Sequence, residues 1–105
     1  MPRKSMQTLS EPMYYVLLAL TKELYGTEIM KEVRLLSKER IKIGPGTLYT
    51  MLDKFLSAGL ITRTNKSLST KSYIITPEGK KALKAEYDRL SALIRDGEKI
   101  MEVFL

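Results

Sequence analysis

The chain has 105 residues, is 44% hydrophobic, carries a net charge of +6, and contains neither Cys nor His. That length makes one domain with a modest core. The two missing residue types exclude disulfide frameworks, thiolate or imidazole metal sites and every nucleophile–imidazole arrangement, and they fit a reducing compartment. The charge is uneven: residues 1–76 hold 12 Lys/Arg against 6 Asp/Glu, whereas residues 77–105 hold 6 of each. Such asymmetry suggests a polyanionic partner for the first part and another task for the tail.

Residues 1–9, with Pro2, Arg3 and Lys4, show little pattern and read as a flexible arm. Ser10-Glu11-Pro12 is a helix start: an N-cap, then an acid and a proline in the first turn. The helix that follows, to about Thr21, includes the longest apolar run, Met13 to Leu20. Glu11 and Pro12 before it and TKELYG after it do not suit a signal peptide, and the run is well short of the roughly 18 residues needed to span a bilayer. It reads as a central core helix, with no membrane segment.

Lys22 to Tyr25 reads as a connection, and Gly26 or Thr27 opens a second helix with Ile29, Val33 and Leu36 at i, i+4, i+7. It ends near Ser37 to Arg40. Ile41-Lys42-Ile43 alternates like a very short strand. The third helix runs from Pro45 to about Ala58, with Gly44 as N-cap and Gly59 at the position that follows a C-cap. Leu48, Leu52 and Phe55 form its buried stripe; Gly46, Thr47, Thr50, Lys54 and Ser57 lie opposite, and Tyr49 falls between the two faces. Gly46 is the unexpected residue. A turn explains Gly44 and Pro45, but a glycine inside the first helical turn costs up to about 1 kcal/mol. Its benefit would be close approach of a phosphate to the free N–H groups of the helix start.

Leu60–Arg63 and Ser72–Thr76 read as the strands of a β-hairpin, with Ile61 and Ile74 or Ile75 facing inward and the polar, basic TNKSLSTK as a flexible tip. Thr76-Pro77-Glu78 repeats the helix-start pattern. The last helix extends to about Val103. Leu83, Tyr87, Leu90, Ile94, Gly97, Met101 and Phe104 are spaced 4, 3, 4, 3, 4, 3, a heptad seam that only Gly97 interrupts. At 1.5 Å per residue such a helix is roughly 40 Å long, more than a core this small could cover, which points to dimerisation. Gly97 is either a helix flaw or a place where a backbone or ligand comes close.

The fold class is therefore mainly α with a small β-hairpin: a winged helix-turn-helix over residues 10–76 and a long C-terminal dimerisation helix over 77–105. In such a unit the second helix of the helix-turn-helix enters the major groove of double-stranded DNA. Thr47, Tyr49 and Thr50 have the hydroxyls to reach base edges or phosphates, with Gly46 at the helix start. Lys42, Lys54, Arg63, Lys66 and Lys71 would contact phosphates. Scattered acids, the absence of a nucleophile motif, and glycine spacing unlike that of a phosphate-binding loop speak against an enzyme, and nothing calls for a cofactor or metal.

Ser10-Glu11-Pro12-Met13-Tyr14-Tyr15, Tyr25-Gly26-Thr27-Glu28-Ile29, Gly44-Pro45-Gly46-Thr47-Leu48-Tyr49, Gly59-Leu60-Ile61 and Tyr73…Thr76-Pro77-Glu78-Gly79 occur in this order across about residues 8–82. Together they resemble the PadR family of winged-helix transcriptional regulators, although each motif alone is weak. The resemblance implies a homodimeric, usually repressive DNA-binding protein of bacteria or archaea, dimerising through its C-terminal helix. The single helix in the tail is similar to the shorter branch of that family. Such a protein would be cytoplasmic, on the nucleoid when bound, and would act on a pseudo-palindromic operator. A small-molecule effector at the dimer interface would meet Gly97, Met101 and Phe104. A multidrug-binding kind uses a tryptophan in that helix, and with no Trp here that mode does not carry over. The alternative is a coiled-coil adaptor whose winged unit binds protein without specific DNA.

Overall fold

Three of the four helices among the described residues start where the sequence provides a cap or a proline. In the computed structural model, which describes residues 8–65, 67 and 69–105, the Ser10 hydroxyl accepts the Met13 N–H at 3.3 Å and opens α1 (Glu11–Ala19). Gly44 in extended conformation and Pro45 open α3 (Pro45–Ser57). Thr76 Oγ1 accepts the Gly79 N–H at 3.0 Å and opens α4 (Pro77–Phe104). The second helix, α2 (Gly26–Leu36), uses a longer reach: the Glu28 carboxylate accepts the Tyr25 N–H at 2.8 Å. Gly59, with φ +76°, reverses the chain after α3 as a left-handed C′ residue.

The sheet has three strands, β1 (Leu24–Tyr25), β2 (Ile61–Thr64) and β3 (Ser72–Ile75), in the order β1-β3-β2, all antiparallel. Ile61 faces Ile75 and both are buried, while Ile74 is half-buried. Two strand expectations change. Lys22–Tyr25 is not only a connection, because Leu24 and Tyr25 pair with Tyr73 and Ser72. Ile41–Ile43 is not a strand: the segment pairs with none of the three strands, and the Ile41 N–H is taken by the Ser37 hydroxyl instead of a ladder. Its alternation nonetheless reports real burial, with Ile43 in the core and Ile41 packed against it.

The core gathers Val16, Leu17 and Leu20 of the first helical segment, Ile29 and Val33 of α2, Leu48, Leu52 and Phe55 of α3, and Leu60 with the inner face of the sheet. Leu9, assigned from sequence to the arm, is only 7% exposed and belongs to this core; residues 1–7 of that arm lie outside the described residues. Buried Ser37 holds the link from α2 to α3. Its Oγ accepts the Ile41 N–H at 2.9 Å and donates to the Arg34 carbonyl at 3.3 Å. Lys38 and Glu39 beside it turn the chain through left-handed φ of 54° and 68°.

Only the start of α4 is packed on this body. Gly79 is buried and Leu83 lies against the core, while Ile94 to Leu105 project away as an isolated helix, giving a molecule 56 Å in its longest dimension. The root is fixed by Glu86, 3% exposed, whose carboxylate receives both Arg89 Nε, at 3.2 Å, and Nη2. The Arg89 hydrogen bond chiefly holds the Glu86 carboxyl below its usual pKa, with burial opposing and the Leu9 N–H and Arg89 charge assisting.

Candidate nucleic-acid interface

Helix α3 turns Leu48, Met51, Leu52 and Phe55 inward, and the 3.6-residue repeat therefore turns Gly46, Thr47, Thr50 and Lys54 outward. These four line one open groove of about 640 Å³, together with Met51 and, from the start of α1, Ser10 and Met13. The structure thus brings together four of the residues singled out from sequence. Ser10 and Met13 were missed, because an apolar pattern on nearly every side of α1 does not reveal which flank meets α3.

Lys42 is exposed just ahead of α3. Arg63 is exposed on β2 opposite Tyr73, and Lys71 is exposed at the entry to β3. Lys66 lies outside the described residues. Among the described residues, no ion pair engages Lys42, Lys54, Arg63 or Lys71; the ion pairs are elsewhere, at Lys22–Glu32, Arg34–Glu39, Lys84–Asp88 and Arg89–Glu86. Cations left free beside an exposed row of hydroxyls suit a phosphate backbone. Thr64 and Ser72 hydroxyls, 2.6 Å apart, close the base of the hairpin tip.

Tyr49 stands at the edge of this face. It is 44% exposed, and its phenol oxygen reaches back to the first turn of α2 at Gly26. Among the described residues nothing lies within 4 Å of where a Gly46 side chain would begin, so that glycine answers no contact among them.

The heptad stripe on α4 divides in two. Leu83 packs on its own domain and Leu90 is half-buried beside Tyr14 and Tyr15, so these two are not wholly free for a partner. Tyr87, Ile94, Met101 and Phe104 are exposed, as are Leu93, Ile100 and Val103. A shallow apolar groove follows Leu93, Ile94, Gly97, Met101 and Leu105, and Gly97 meets nothing within 4 Å. No helix among the described residues is long and apolar enough to cross a membrane. No cluster of three or more carboxylates among them could hold a metal ion.

Comparison with known proteins agrees with this architecture. Residues 16–85 match the model of the Transcriptional regulator PadR-like family. A transcriptional regulator from Clostridium thermocellum superposes with a TM-score of 0.69 at 25% identity, covering 90% of this chain and 92% of that one. A PadR family transcriptional regulator from Eggerthella lenta superposes with a TM-score of 0.69 at 27% identity, covering 86% of this chain and 80% of its own. One from Clostridium difficile R20291 has a TM-score of 0.70 at 23% identity over 88% and 99%, a likeness of fold. No curated protein sequence matches the chain significantly. With two thirds of its length matched and the same fold in solved regulators, the chain belongs to the PadR-like family of transcriptional regulators.

Proposed function

We propose that the protein is a homodimeric, sequence-specific DNA-binding repressor acting in the cytoplasm on a pseudo-palindromic operator. Residues 10–76 form the DNA-binding unit and 77–105 the dimerisation helix. The observation that carries the reading is the outward face of α3, where Gly46, Thr47, Thr50 and Lys54 share one open groove. The unpaired cations of the flanking segments supply sequence-independent affinity, and Thr47, Tyr49 and Thr50 supply the reading of bases. The exposed stripe of α4, Tyr87 to Phe104, supplies the apolar surface for a second copy.

Selection of bound sequences from a random DNA pool tests this directly. The expected product is a pair of inverted half-sites centred about one helical turn apart, ~34 Å, or a multiple of it. Recovery of no preferred sequence would favour the adaptor reading instead. Specific binding that survives simultaneous alanine substitution at Thr47, Tyr49 and Thr50 would show that α3 is not the reader.

A further inference from the structure

We infer that Gly26, a residue of α2 that touches no base in the reading above, is a positioning residue for DNA recognition: its missing side chain seats Tyr49 of α3 at the edge of the interface. A Cβ built at Gly26 would stand 2.1 Å from Tyr49 Oη, 2.9 Å from its Cζ and 3.5 Å from its Cε1, and these are its three nearest atoms. Gly26 is helical, and its φ lies outside the left-handed region, so the backbone does not require glycine. Alanine would be the better helix former. The space is kept for the phenol.

The seat has a functional consequence because Tyr49 is not buried by it. The residue remains 44% exposed, next to Thr50 on the outward side of α3. With its hydroxyl end resting on the first turn of α2, the ring has one direction fixed before DNA arrives. Its rotamer entropy is then lost on folding and not on binding, and a preorganised group discriminates better than a mobile one. A methyl at position 26 would meet only the far end of a flexible side chain. The side chain would swing away, and the fold would persist with Tyr49 in another place.

This inference rests on the reading that α3 binds specific DNA, and the experiment separates the two. The full chain and the variants G26A, Y49A and G26A/Y49A are titrated with a duplex selected from the random pool and with an unrelated duplex of equal length, and their thermal midpoints are measured. G26A is expected to keep its midpoint and its affinity for unrelated DNA, and to lose about tenfold for the selected duplex, the scale of one lost base contact. Y49A should lose a similar factor, and the double variant no more than Y49A alone. An unchanged G26A affinity, losses that multiply in the double variant, or a G26A chain that unfolds while G26A/Y49A does too would each overturn the inference. A wild-type chain that selects no sequence overturns the DNA reading itself.

Discussion

Gly79, in the first turn of α4, lies directly on the backbone of Leu60: a Cβ there would be 2.0 Å from the Leu60 carbonyl oxygen and 2.6 Å from Ile75 Cγ1. That oxygen is also held in place, since it accepts the Thr76 N–H at 2.9 Å. Backbone cannot swing away as a tyrosine can. Gly79→Ala is therefore expected to destabilise the protein by about 2 kcal/mol or more, the range of overpacked cores. Urea or thermal denaturation checks it, and an unchanged midpoint would show that α4 docks differently.

Gly46→Ala should do the reverse. Among the described residues nothing lies within 4 Å of its side-chain position. Alanine there removes backbone freedom from the unfolded chain and should leave stability unchanged or raise it by up to about 1 kcal/mol. Binding to the selected duplex should weaken, because the new methyl occupies the start of α3 where phosphate would approach. Equal affinity in a titration would reduce the glycine–proline–glycine stretch to a turn.

Much of this fold is legible because its signals are local. Ser10, Thr76 and Gly59 mark helix ends through hydrogen bonds and backbone angles that involve near neighbours. What the sequence does not reveal depends on distant partners. Two residues, Leu24 and Tyr25, are too few to show alternation, and they become a strand only because Tyr73 and Ser72 offer an edge. Ile41 and Ile43 show alternation but join no strand, because the Ile41 N–H is taken by Ser37 in the turn after α2. The same division runs through the interface: the helical repeat exposes Thr47, Thr50 and Lys54 to sequence reading, whereas Met13 joins them only through tertiary packing. Glu86 has no such signature beyond Arg89 three residues later, and its burial comes from α1 and Leu9 closing over it.

Ile94→Lys tests the second copy. Ile94 is 66% exposed, so the lysine costs the single chain little. In a dimer seam it would be buried and unpaired. Sedimentation equilibrium should show a dimer for the wild type and a monomer for the variant. Affinity for a two-half-site duplex should drop far more than affinity for a single half-site, because linked binding is lost. A variant that stays dimeric would place the contact elsewhere.

Glu86 sets a pH dependence. Its carboxyl titrates below the usual 4.5, so its charged form is favoured by folding. The stability it contributes is whole above that ordinary carboxylate value and is lost as pH falls through the lowered one. Urea midpoints measured from neutral to acid pH should fall along this limb in the wild type. Glu86→Gln should start lower at neutral pH and fall less steeply. Parallel curves would mean that another carboxylate governs acid unfolding.

The hydroxyl of Thr76 does two things at once. It caps α4 through the Gly79 N–H and donates to the Gly59 carbonyl at 2.7 Å, at the very turn that ends α3. The end of α3 and the start of α4 are therefore held side by side, although the whole hairpin lies between them in sequence. In a dimer held through α4, the orientation of α3 toward DNA would follow from where α4 begins, which Ile94→Lys and Gly79→Ala would disturb from opposite ends.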